Sequence, residues 1–199
     1  MPKALSEKER AYVKQRLMEE AEDCLAKYGV RKTTVDELVK RVHIPKGTFY
    51  LFYESKEQLF YDVLLKFHED IQHELMEKLS SLLKSITPDA LTDAIFSMYQ
   101  RVESSFLYPL MMSGEIELFM QKLSPEIVEA HAHTDDLQVE QLIRLVPNMQ
   151  AEHVAHFSAA LRAVFLSMLH KREIGEQAFG EALYILIRGV VKQMFEGKE

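Results

Sequence analysis

HIPKGTFYLFYESK, His43 to Lys56, sets a proline two residues before a glycine and follows them with four aromatics in five positions, Phe49, Tyr50, Phe52 and Tyr53. Proline suits the first turn of a helix, where its missing N–H costs nothing. Glycine lets another body approach that turn closely. The stretch predicts a short helix from about Pro45 to Tyr53, with Phe49 and Tyr53 one turn apart and facing inward. Lys46, Tyr50 and Leu51 face the other way.

Working outward, Leu17, Ala21, Cys24, Leu25 and Tyr28 share one helical face upstream. Gly29 is a left-handed stop, with Val30 folding back onto the last turn. Thr34 opens the next helix as a capping box with Glu37, and Val35, Leu38, Val39 and Val42 are its stripe. His43 falls where the chain must turn left-handed, which histidine tolerates better than most residues. Downstream, Ser55 caps a long fourth helix with Gln58 as its box partner. Its stripe is Phe60, Val63, Leu64, Phe67, Ile71, Leu75, Leu79 and Leu82, and it runs from Ser55 to about Lys84. Two short helices across a tight turn, residues 34–53, make a helix-turn-helix.

Composition agrees with an all-α chain. Only 7 glycines and 6 prolines occur in 199 residues, and 47% of them are apolar, enough for a real core. The single cysteine, Cys24, excludes an intramolecular disulfide. No apolar run is long enough to span a bilayer, and MPKALSEKER is no secretory signal, so the cytoplasm is the expected compartment. The net charge of −7 hides a split. Residues 1–60 carry 12 Lys+Arg against 10 Asp+Glu, residues 61–199 carry 12 against 21, and residues 27–56 carry 7 against 3. A local basic footprint on an acidic chain is compatible with DNA at the basic end.

Further helices are predicted at about 88–107, 114–122, 125–145, 151–172 and 175–196, with Thr87-Pro88 and Ser124-Pro125 as cap and first-turn pairs. The last two have apolar stripes too wide for one buried face, which implies burial on two sides, the second against another subunit. Phe157, Leu161, Phe165, Leu183, Ile187, Val190, Val191 and Met194 are the residues assigned to that dimer interface, and Gly189 would permit close approach.

DNA reading asks for small residues and backbone N–H groups near phosphates at the start of the second helix, with a few side chains reaching base edges. Lys46, Gly47 and Thr48 meet the first need. Tyr50 offers a hydroxyl to a phosphate, Lys46 a donor to a guanine or phosphate, and Lys56 a hold on the backbone. The stretch TTVDELVKRVHIPKGTFYLFYESKEQLF resembles the N-terminal region of TetR-family transcriptional regulators: a T-x-x-x-[IL] helix, a turn, G-T-[FL]-Y, then S-K-E-x-L. The resemblance covers residues 33–60. It implies a homodimer of all-helical subunits, with a three-helix DNA-binding head at 1–54 and a body at 55–199 for ligand binding and dimerisation through the last two helices. It also implies that Thr33, Thr34, Pro45 and Phe52 join Lys46, Gly47, Thr48, Tyr50, Leu51 and Lys56 at the DNA. Three departures bear on sequence preference: Val42-His43 for Ala-Gly, Pro45 for a capping serine, and the order Phe52-Tyr53.

The body is rich in methionine and aromatics, which suits an adaptable apolar pocket for a small-molecule effector. Its candidate lining is Phe96, Met98, Tyr99, Phe106, Met111, Met112, Phe119 and Phe165. Glu103, Glu115 and Glu117 lie among them, and a carboxylate there would select a cation or simply meet water. His131, His133, His153 and His156, with Asp135 and Asp136 nearby, are weighed as metal ligands and set aside: the i, i+3 pair His153 and His156 can share a helix face, whereas His131 and His133 cannot. No phosphate loop or nucleophile motif is present, so no enzyme, no cofactor and no metal is expected. The reading is a dimeric DNA-binding regulator, a repressor released from its operator by a small apolar ligand. The alternative is a DNA-binding protein whose body binds a protein partner, and behind both stands a helical enzyme or adaptor using the head as a scaffold. Operator sequence, effector identity and regulated genes leave no motif.

Overall fold

The structure, a computed structural model, describes residues 5–80 and 86–196. Among the described residues all regular structure is helical, as the composition implies. In chain order the helices are α1 (Glu7–Lys32), α2 (Val35–Val42), α3 (Lys46–Phe49), α4 (Lys56–Ser80), α5 (Pro88–Glu103), α6 (Leu107–Met112), α7 (Glu115–Met120), α8 (Pro125–Arg144), α9 (Ala151–Leu166), α10 (Lys171–Ile174) and α11 (Phe179–Glu196), with a 3₁₀ turn at Ser167–His170. The chain packs as two compact units: Met1–Asp70 with Ser104–Ser124, and Ile71–Glu103 with Pro125–Glu199.

In the first unit each helix end has a local cause. Ser6 and Glu9 form a reciprocal capping box on α1, which sequence reading missed. Gly29 takes φ 74° and kinks α1 one turn before its end, and Val30 is buried behind it. Thr34 accepts the Glu37 N–H at 3.2 Å. Only half of the expected box forms, because the Glu37 carboxylate turns to Arg41 Nε at 2.8 Å. His43 is left-handed at φ 59°, ψ 44° and closes α2. Pro45 stands just outside α3 as its N-cap, not within its first turn. That helix is shorter than expected. From Tyr50 to Tyr53 the chain runs as tight turns, with Leu51 N–H on Thr48 O at 3.1 Å and Phe52 N–H on Phe49 O at 2.9 Å, which keep Phe49 and Tyr53 both buried. Ser55 caps α4 as predicted, accepting the Gln58 N–H, while the Gln58 side chain returns to the Glu54 N–H. The α4 stripe from Phe60 to Leu79 is buried; Leu82 and Lys84 lie outside the described residues. Phe119 meets Phe60 edge-on at 6.3 Å and Phe106 meets Phe67 at 5.4 Å, so segment 104–124 closes this core.

In the second unit α11 packs along α5. Phe96 meets the Tyr184 ring at 5.2 Å, the Tyr184 hydroxyl donates to Asp93 at 2.8 Å, and Arg188 pairs with Asp89 at 3.0 Å. The helix expected at 88–107 ends at Glu103, and α6 was not foreseen. The one expected at 151–172 breaks into α9, the 3₁₀ turn and α10.

The wide stripe of α11 divides into a buried and an exposed face, and most of its residues assigned to the dimer interface lie on the buried one. Leu161, Leu183, Ile187, Val191 and Met194 are buried in the chain's own core, out of a partner's reach. The face left outside carries Ile185, 69% exposed, with Leu186 and Gly189, and Val190 half-buried at its edge. On α9 the exposed counterpart is Ala155, Ala159, Ala163 and Leu166, with Phe157 and Phe165 half-buried.

Candidate nucleic-acid interface

The turn between α2 and α3 presents an open face. Pro45, Lys46 and Gly47 are exposed, Tyr50 is 51% and Leu51 61% exposed, and Thr48 and Phe52 are half-buried. Beneath them Phe49 is sealed, and the Tyr53 hydroxyl donates to Asp62 at 3.1 Å. Asp62 in turn pairs with Lys14 at 3.0 Å, tying the end of this segment to α1 and α4. Burial, with Asp62 beside it, pushes the Tyr53 phenol well above its usual range, so it stays protonated. Two large apolar or aromatic side chains held out over a fixed base suit contact with a partner rather than with this chain's core.

Gly47 is informative because the fold does not need it. Its φ is not left-handed, and a Cβ there would meet nothing within 4 Å. Gly47→Val should leave the unfolding midpoint nearly unchanged, since valine is the better helix former. It should nonetheless weaken duplex DNA binding by about tenfold or more if a phosphate must close on this turn. Thermal melts beside fluorescence anisotropy on labelled duplex check both halves.

The lysines are less free than their count suggests. Lys46 pairs with Asp36 at 2.9 Å, which raises its pKa, and a phosphate would have to compete with that carboxylate. Arg41 is enclosed by Glu37, Asp23 and Glu20 and reaches the Tyr28 hydroxyl, so it braces α2 against α1. Arg31, Lys32 and Lys40 are exposed. Arg10, absent from the sequence assignment, lies over the Phe52 ring at 5.1 Å; no local pattern links residues so far apart.

Three assigned residues have other tasks. Thr33 is fully buried and its hydroxyl donates to Gly29 O at 2.7 Å, so its side chain cannot reach DNA. Lys56 donates to Val30 O at 2.8 Å and Thr33 O at 2.6 Å, holding the end of α1 in place of a phosphate. Thr34 is exposed but its oxygen already caps α2.

The eight pocket residues split evenly between the units. Phe106, Met111, Met112 and Phe119 belong to the first, and the two phenylalanines take part in its core. Phe96, Met98, Tyr99 and Phe165 belong to the second. There the Tyr99 ring lies 5.7 Å from Phe165 and its buried hydroxyl donates to Leu161 O at 2.9 Å. Glu103 pairs with Lys171 and Glu115 with the Val30 N–H, so neither carboxylate simply meets water. His131, His133, Asp135 and Asp136 have side chains outside the description, and among the described residues no His, Cys, Asp and Glu cluster could hold a metal. Among the same residues no helix is long and apolar enough to cross a membrane.

Residues 17–63 match the family model for bacterial regulatory proteins of the tetR family. A search of curated proteins finds no match. Among solved structures, a protein from Mesorhizobium loti assigned to the TetR-family transcriptional regulators aligns with a TM-score of 0.68 at 13% identity, over 94% of this chain and 96% of that one. FadR of Thermus thermophilus, a TetR-family transcriptional repressor in complex with lauroyl-CoA, aligns with a TM-score of 0.58 at 20% identity, over 94% and 95%. NalD of Pseudomonas aeruginosa, the secondary repressor of a multidrug efflux pump, aligns with a TM-score of 0.52 at 17% identity, over 94% and 97%. The open turn at 45–51 lies inside the matched residues, so over 17–63 the chain is similar to bacterial regulatory proteins of the tetR family, and its fold is similar to that of a TetR-family transcriptional regulator.

Proposed function

We propose that this chain is a cytoplasmic, homodimeric transcriptional repressor that leaves its operator when a small apolar ligand binds. The observation that carries the DNA half is the exposed set Lys46, Gly47, Thr48, Tyr50 and Leu51 over a buried Phe49. Residues 1–54 read DNA, and 55–199 hold the ligand and the partner subunit. The uncovered apolar face of α9 and α11 supports the dimer, with Ile185, Leu186, Gly189 and Val190 replacing the buried residues first assigned. A dimer presents two reading helices about 34 Å apart, one turn of B-DNA. Ligand and operator favour different states of the dimer, so each weakens the other by its differential affinity. The repressor descriptions of FadR and NalD, and the lauroyl-CoA held by FadR, support release by a small ligand with an apolar part.

The test is selection from a random duplex pool, followed by affinity measurements on the recovered site at two salt concentrations. Wild-type protein should enrich a two-fold symmetric site and bind it with a steep salt dependence. Tyr50→Ala should lose about tenfold or more in affinity without losing stability. Failure of the wild type to enrich any sequence, with no salt-sensitive binding to duplex, would overturn the DNA-binding reading.

A further inference from the structure

We infer that Glu115 is a positioning residue of the DNA-reading head: its carboxylate holds the kink at the end of α1 and thereby sets where α2 and α3 begin. The inference rests on the DNA-binding reading above and names a residue that acts on that site without touching it. At Gly29, φ 74° and ψ −178° break the helix and turn the Val30 N–H out of the helical ladder. That N–H donates to Glu115 on α7, 85 residues away in sequence. The glycine is required twice over, since its φ is left-handed and a Cβ would come within 2.5 Å of the Glu115 Oε2. Lys56 completes the junction by donating to Val30 O and Thr33 O. Burial pushes the Lys56 pKa down, while the Glu57 and Glu115 carboxylates push it back up against Lys122. A second strap, Lys122 to the buried Glu57 at 2.8 Å, fixes the far side of α7 to the start of α4.

The consequence is specific. Three residues separate the held Val30 N–H from Thr34, the cap of α2. Thr33 lies between them, bonded through its hydroxyl to Gly29 O and through its carbonyl to Lys56. The first residue of α2 is therefore placed by two side chains from elsewhere, one of them on segment 104–124. A displacement of α7 moves the Val30 peptide, and α2 with it.

Hydrogen exchange on the full-length protein tests this without DNA. Glu115→Ala should speed exchange of amides 30–42 by about tenfold or more, the loss expected for one charge-assisted hydrogen bond, and leave amides 59–67 of α4 unchanged. Glu115→Gln keeps an acceptor oxygen and should recover part of the protection, while Glu117→Ala, an exposed neighbour, should change nothing. In the binding arm, with the selected duplex as probe, Glu115→Ala should lower the preference for that duplex over random duplex by about tenfold at an unchanged salt slope, because no phosphate contact is removed. A uniform loss of stability would not do this. Unchanged exchange at 30–42, or equal acceleration throughout the unit, overturns the inference. Absence of any duplex binding by the wild type overturns the regulator reading instead, and the exchange arm still decides the role of Glu115.

Discussion

In the proposed dimer, Ile185→Arg should yield a monomer that keeps its fold and loses the proposed operator. Ile185 is the most exposed large apolar side chain of α11, flanked by Leu186, Gly189 and Val190, while the opposite face of the same helix is sealed by Leu183, Ile187 and Val191. In a two-fold interface the patch meets its own copy, so one substitution places two like charges against apolar surface. Nothing in the chain's own core is disturbed. Light scattering should give half the wild-type mass, circular dichroism should be unchanged, and affinity for a symmetric site should fall by about 10²–10⁴ as the second reading helix is no longer tethered to the first. Ile187→Ala, two residues along, should do the reverse: the dimer forms, but the fold loses about 2–5 kcal/mol to a buried cavity. A dimer that survives Ile185→Arg would exclude this face as the interface.

Phe49→Ala should cost about 3–5 kcal/mol and remove the proposed DNA-reading head as an ordered structure. Four residues of helix with no side-chain cap cannot hold themselves, and Phe49 is what anchors α3 to the core. Its ring meets Tyr50 edge-on at 5.3 Å and lies 5.9 Å from Tyr53. Against a typical total stability of about 5–15 kcal/mol, a loss of this size melts the head at moderate temperature. Denaturant titration should show a lowered midpoint for Phe49→Ala. Tyr50→Ala, one residue on and half in solvent, should keep the wild-type midpoint within about 0.5 kcal/mol while losing DNA. Equal stability in both variants would refute the anchoring role.

Short-range chemistry was the legible part of this sequence. The caps at Thr34 and Ser55, the left-handed His43 and the inward pair Phe49 and Tyr53 each follow from residues within a few positions of one another. What failed depends on partners distant in sequence. Periodicity shows that α11 has two apolar faces but not which one its own subunit covers, so it could not show that Leu183 and Ile187 are buried and Ile185 and Leu186 exposed. Lys56 sits where a lysine suits a phosphate, yet two helix-end carbonyls lie nearer and claim it. Glu115 gave no local signal at all, because the N–H it serves is 85 residues away. The break after Glu103 and the separate helix α6 were missed because no proline or glycine marks positions 104–107.

Segment 104–124 also decides how this protein can be cut and recombined. It packs with the N-terminal helices although it is encoded between two stretches of the other unit. Phe119 and Phe106 cover Phe60 and Phe67, so a fragment ending at residue 70 would expose these rings and collect in inclusion bodies. A chimera that grafts the N-terminal helices onto another protein must carry 104–124 along, or rebuild the surface that segment buries. Exchange at a single crossover point, the usual recipe for modular biosensors, would split one core between two parents.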